Sequence, residues 1–223
     1  MYYHIGRMLI DENFDGGKDC PVCRIKNKVE YRLTEQYLGE GVMEDSTRTE
    51  VNHLGFCARH FDMLFEMRSK LGLALQSTTR LTTLKEGLHR PTALRNAKKQ
   101  SEFLKKKTSS CVVCKYLNEH MIRYYKTIAE VYSGDPAFSD RLKAGNGFCF
   151  EHYADLLEYS KYAGLKAKNY LSDIYDAQIK RIEKTQEGLK EFCDHHDYRN
   201  ASKPLGEGKN ALPDTRNLFY GNK

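Results

Sequence analysis

Nowhere does the 223-residue chain carry an apolar run near the about 20 residues that cross a bilayer. Met1 to Asp11 also lack the basic-then-apolar pattern of a secretory leader. Both absences lead us to expect a cytoplasmic protein without a membrane partner. Proline and glycine are sparse between about residues 20 and 190, and strand patterns are weak throughout, so an all-α protein is expected. No phosphate-cradling glycine loop, nucleophile elbow or HExxH motif is present. With no catalytic constellation, the chain is not expected to be an enzyme.

There are, however, seven cysteines. In a cytoplasmic chain they point to metal or redox chemistry over a disulfide framework. Six of them fall in an internal repeat. Cys20-Pro21-Val22-Cys23 is followed after 33 residues (24 to 56) by Cys57-Ala58-Arg59-His60, and Cys111-Val112-Val113-Cys114 after 34 (115 to 148) by Cys149-Phe150-Glu151-His152. Gly55-Phe56 recurs as Gly147-Phe148, Leu64 as Leu156, and Gly72-Leu73 as Gly164-Leu165.

Thiolate and imidazole are typical zinc donors, and zinc favours four ligands in a tetrahedron. Cysteines two residues apart close on one ion in a tight turn, while Cys and His at i and i+3 share a helix face. The repeat therefore suggests two Cys3His sites for two structural Zn2+ ions, one of Cys20, Cys23, Cys57 and His60, the other of Cys111, Cys114, Cys149 and His152. Each ion would pin two helix starts together across a loop. Helix N-termini favour thiolates, and Arg24, Arg59 and Lys115 lie beside ligands where they could offset the net negative charge of each site. An iron–sulfur cluster is the alternative for the same donors. His53 could replace His60, but Gly145 stands at the matching place in the second copy.

Between the motifs, helical spacing links Ile25, Val29, Leu33 and Tyr37, and Leu117, Met121, Tyr124, Tyr125, Ile128 and Tyr132. Polar loops are expected at 39–52 and 133–146. A helix then begins near each Cys-x-x-His, with Phe61, Leu64 and Phe65 inward in one copy and Tyr153, Leu156 and Leu157 in the other. A longer helix follows in each, marked by Leu81, Leu84 and Leu88, and by Leu171, Ile174, Tyr175, Ile179, Ile182 and Leu189. The division read from this is a first zinc-binding repeat over 1–90, a basic linker helix over 91–110, a second repeat over 111–199 and an irregular tail over 200–223, which holds Pro204, Gly206, Gly208 and Pro213.

The formal charge of +6 is concentrated. Arg90, Arg95, Lys98, Lys99, Lys105, Lys106 and Lys107 against Glu102 supply seven minus one. The segment is either a solvated helix face or, with Lys98, Lys99, Lys105, Lys106 and Lys107, a nucleic-acid contact. Cys193-Asp194-His195-His196 is a candidate third metal locus, more simply read as a buried or partly buried thiol before a polar helix end.

At the duplicated motifs the chain resembles a bacterial family known only as a domain of unknown function, with a CPxC motif followed by GFCxxH, twice. Val112 stands where the second copy usually has proline. Glu191-Phe192 through Asp197-Tyr198-Arg199-Asn200 is also similar. The resemblance implies metal ligation by the eight motif residues and supplies no activity, since none is established for the family. A zinc-stabilised interaction or regulatory module with a protein partner is the expectation. A nucleic-acid-binding protein and a zinc-thiolate redox sensor are the rivals.

Overall fold

The computed structural model describes residues 3–67, 69–196 and 206–222. Among them all regular structure is helical. Eleven helices follow in order: α1 Tyr3–Asn13, α2 Pro21–Leu38, α3 Asp45–Leu54, α4 Ala58–Glu66, α5 Lys70–Gly87, α6 Leu94–Thr108, α7 Val112–Gly134, α8 Pro136–Ala144, α9 Phe150–Glu158, α10 Ala167–His195 and α11 Ala211–Tyr220. Short 3-10 stretches lie at Glu40–Val42, Ser160–Lys166 and Glu207–Asn210.

The compact units are not the two sequence repeats. A central unit takes Lys28–His120, and a terminal unit combines Met1–Asn27 with Met121–Lys223. Both boundaries fall inside helices, α2 and α7. The stripes on these helices match the expected faces, with Ile25, Val29 and Tyr37 buried on α2 and Leu117, Met121, Tyr125, Ile128 and Tyr132 on α7. In the central unit Tyr37, Leu38, Val51, Leu64, Leu73, Val112 and Val113 form one apolar cluster. The terminal unit is built around rings such as Phe14 and Phe138, 5.0 Å apart, and Tyr132 and Tyr170, 5.1 Å apart.

Both stretches expected to be polar loops contain a helix. For α8 the local chemistry is plain: Asp135 accepts hydrogen bonds from the Ala137 and Phe138 amides at 3.0 and 3.3 Å, Pro136 starts the helix, and Phe138 and Leu142 are buried at i and i+4. In α3 Val51 alone is buried, so its sequence reads as polar. The inward faces of the Cys-x-x-His helices also differ from expectation. Leu64 and Leu156 are buried, but Phe61, Phe65 and Leu157 are exposed. Each face is set by the buried histidine, which shares it with the leucine four residues on. On the longer helices Leu73 and Gln76 are buried in α5, whereas Leu81 and Leu88 are exposed; in α10 Ile174 is buried and Tyr175 exposed.

The tail is not irregular throughout. Residues 197–205 lie outside those described, but α11 follows, with Pro213 in its first turn where a missing N–H costs no intrahelical bond. The Glu191 carboxylate of α10 accepts from the Gly206 and Gly208 amides at 2.7 and 2.8 Å, and the Phe219 ring of α11 packs tilted against Phe150 of α9, 5.5 Å between centroids. Cys193 is exposed, not buried.

Candidate metal centres

Four helices begin immediately after a cysteine. The carbonyls of Cys20, Cys57, Cys111 and Cys149 accept the amide four residues on at 2.9–3.3 Å, so each cysteine caps its helix and the ligand three residues later completes the first turn. Thiolates there face helix N-termini, whose partial positive charge favours them.

The eight motif residues form two quartets, but not within the repeats. Cys20 and Cys23 at the start of α2 meet Cys149 and His152 at the start of α9; Cys111 and Cys114 at the start of α7 meet Cys57 and His60 at the start of α4. Each quartet lies within one compact unit. The pairing expected from sequence order, Cys20/Cys23 with Cys57/His60 and Cys111/Cys114 with Cys149/His152, is therefore corrected. The reason is helix rise. At 1.5 Å per residue, α2 and α7 are rods of about 27 and 35 Å that begin at one cysteine pair, so neither is a loop that could close on the next Cys-x-x-His.

In the first quartet the Sγ atoms of Cys20, Cys23 and Cys149 lie 3.6, 3.3 and 3.2 Å from His152 Nδ1, with Cys23 and Cys149 3.6 Å apart. In the second, Cys57, Cys111 and Cys114 lie 3.2, 3.3 and 3.3 Å from His60 Nδ1, with Cys57 and Cys114 3.8 Å apart. A tetrahedron with bonds of about 2.3 Å to sulfur and about 2.0–2.1 Å to nitrogen separates sulfurs by about 3.8 Å and sulfur from nitrogen by about 3.6 Å. The quartets have the size and donor set for a single metal ion each.

The two differ in their surroundings. The first is closed: Cys20, Cys23, Cys149 and His152 are all at most 2% exposed. Its cover includes the turn after α11. Gly221 has φ 74°, and a Cβ there would sit 2.9 Å from Cys23 Sγ and 3.5 Å from Cys149 Sγ. Only glycine brings backbone this near the sulfurs in that conformation. The second is open: His60 and Cys111 are buried, Cys57 is half-buried and Cys114 is exposed. The open centre holds its histidine by a carboxylate. Glu30, itself 4% exposed, lies 2.9 Å from His60 Nε2 and also binds Arg59. His152 Nε2 in the closed centre is buried with no partner among the described residues.

The imidazoles and two of the thiols are shifted from their ordinary values by one another. Burial pulls the His60 pKa down, but hydrogen bonds with Cys111 and Glu30 outweigh it and push it up to about 10. His152 is also opposed by burial, yet the sulfurs of Cys149, Cys20 and Cys23 push it up to about 12. Burial likewise opposes ionisation of Cys111, but the hydrogen bond with His60 wins and brings it down to about 6. Burial and the neighbouring Cys111 charge hold Cys114 up to about 12. The same sulfurs that favour a proton on the imidazole would favour a divalent ion, and the two would compete.

The three cations beside the ligands are engaged with carboxylates: Arg24 with Asp15, Arg59 with Glu30, Lys115 with Glu50 at 2.8 Å. Two residues that sequence reading passed over secure the approach to each Gly-Phe-Cys. Arg80 donates to the carbonyls of Asn52 and His53, and Arg181 to that of Gly147 at 3.2 Å. Gly147 has φ 71°, and a Cβ would lie 2.6 Å from the Ala177 carbonyl. His53 joins neither quartet, and the Cys193 to His196 segment forms no metal-competent group among the described residues. The basic linker is helix α6. It buries no side chain; Lys98, Lys99, Lys105 and Lys106 are exposed, and the half-buried Lys107 reaches the His53 carbonyl at 3.3 Å.

This chain belongs to a family of unknown function (DUF6062), whose profile matches residues 1–223. A similar protein, described as "Uncharacterized 23.9 kDa protein in xynA 3'region", comes from Caldicellulosiruptor sp. (strain Rt8B.4); it is 26% identical over 189 residues, spanning 85% of this chain and 87% of the relative. No solved structure matches.

Proposed function

We propose that this family member is a non-enzymatic, zinc-stabilised protein of the cytoplasm that acts as an interaction or regulatory module for a protein partner. The observation that carries the reading is the pair of compact Cys3His quartets. Three sulfurs and one imidazole suit zinc. Donor atoms all within 4.8 Å of one another favour one ion over a larger iron–sulfur cluster. Four protein donors leave no open position for water or substrate, which a catalytic zinc keeps. No helix among the described residues is long and apolar enough to cross a membrane. Exposed Phe61, Phe65, Leu71 and Leu75 on α4 and α5 offer apolar contact to a protein partner.

Elemental analysis of the purified native protein tests the metal. Close to two zinc ions per chain are expected; no zinc, or dominant iron with visible absorption, contradicts the reading. Helix α6 supports a second reading, nucleic-acid binding, because Lys98, Lys99, Lys105 and Lys106 stand in solvent. Binding of that kind would fall steeply with salt and would be lost when Lys98, Lys99, Lys105, Lys106 and Lys107 are changed to Glu.

A further inference from the structure

We propose that Cys57 and Cys114 are a peroxide-oxidisable pair, so that the open centre gives up its ion under oxidation while the closed centre keeps its own. The inference rests on the metal reading above and deepens it by separating the two centres. The quartets share a donor set, so their difference in reactivity comes from access. Every cysteine of the closed centre is at most 2% exposed, and the Gly221 backbone lies against the sulfurs of two of them. In the open centre Cys114 is exposed and Cys57 half-buried, and their sulfurs are 3.8 Å apart. Oxidation of cysteine follows thiolate character together with exposure. The pair that solvent reaches is therefore also a pair whose sulfurs already touch.

The chemistry balances with hydrogen peroxide as oxidant. With the ion bound, Cys114 is held as a thiolate in place of the thiol it would be without metal; it attacks one peroxide oxygen, the O–O bond breaks, and with one proton the products are a sulfenic acid and water. The Cys57 thiolate then attacks Cys114 Sγ, forms the S–S bond and expels hydroxide, which a second proton turns into water. Two thiolates, one peroxide and two protons give one disulfide and two waters, with two electrons passing from sulfur to oxygen. Closing the sulfurs from 3.8 Å to about 2.0 Å is a movement of side chains at two helix starts. Only Cys111 and His60 then remain as donors, too few for a four-coordinate ion. The new bond joins the starts of α4 and α7 in place of the ion, so the central unit stays tied and reduction restores the site.

The test treats intact metal-loaded protein with one equivalent of hydrogen peroxide. A colorimetric chelator follows released zinc, and peptide mapping without reduction locates the disulfide. We expect one of two ions released, a Cys57–Cys114 linkage, and uptake of one ion again after a thiol reductant. Retention of both ions, release of both at one rate, or a disulfide involving Cys20, Cys23, Cys149 or Cys111 overturns the proposal. Zinc counted before peroxide separates the failures: a metal-free starting protein sinks the metal reading itself, whereas two ions that respond alike sink only the distinction between centres. Gly221→Ala adds a second check, since it disturbs only the cover of the closed centre. In that variant the closed-centre cysteines should become oxidisable while the Cys57–Cys114 linkage still forms first; first oxidation at the closed centre would contradict the role assigned to access.

Discussion

Glu30 shows how a single buried side chain tunes a centre. Burial would raise its pKa, but the hydrogen bond to His60 and the charge of Arg59 hold it below the usual carboxylate range, so it faces the imidazole ionised. A carboxylate at Nε2 fixes the tautomer that aims Nδ1 at the sulfurs and makes that nitrogen more basic. Glu30→Gln should therefore weaken metal binding at the open centre by about 10–100-fold and leave the closed centre unchanged, as competition titration with a chromophoric chelator would measure. Protons compete with the ion in a stated direction. In the metal-free protein His60 is raised from its ordinary 6.5 to about 10, so its proton stabilises the metal-free fold fully below pH 6.5 and that stabilisation is lost as pH rises through about 10. The gap in melting temperature between metal-loaded and metal-free protein should therefore widen over that window. A gap that narrows with rising pH would contradict the exchange of proton for ion.

At the scale of elements, the eight residues of the quartets were legible because residue types that core packing does not require recur at matching offsets. Their pairing was not legible. Spacing along the chain resembles a closed loop, but the loop contains a rigid helix of 18 or 23 residues whose length decides where the next motif arrives. The short helices were missed for a related reason: α3 buries only Val51 and α8 only Phe138 and Leu142, so neither shows a long apolar stripe. Asp135-Pro136 was a readable start signal for α8. Nothing in the sequence placed α11 against the closed centre, because the demand on Gly221 comes from sulfurs more than 70 residues away in the chain. Two substitutions test these elements. Asp135→Ala should cost about 1 kcal/mol through loss of the α8 cap. Gly221→Ala should cost about 1–3 kcal/mol for a conformation that non-glycine residues avoid, and should quicken loss of the closed-centre ion to a chelator. Thermal melts and release kinetics measure both.

For the whole molecule, the quartets join segments that sequence leaves far apart, Cys20 to Cys149 in the terminal unit and Cys57 to Cys111 in the central one. Metal binding should appear largely as folding energy, on the order of several kcal/mol per site, so chelation should lower both melting temperature and helicity. The all-helical class and the eight residues that the quartets gather were legible because periodicity and motif repetition are local. The compact units were not, since their boundaries lie inside α2 and α7, where no composition change marks them. The crossed assembly is the central claim, and metal counting in two double variants tests it most directly. Cys20→Ser with Cys149→Ser removes donors from one quartet, so one zinc ion per chain should remain; Cys20→Ser with Cys57→Ser removes a donor from each, so none should remain. The reverse outcome, one ion kept by the Cys20/Cys57 variant and none by the Cys20/Cys149 variant, would mean that each repeat closes on its own ion and would contradict the account.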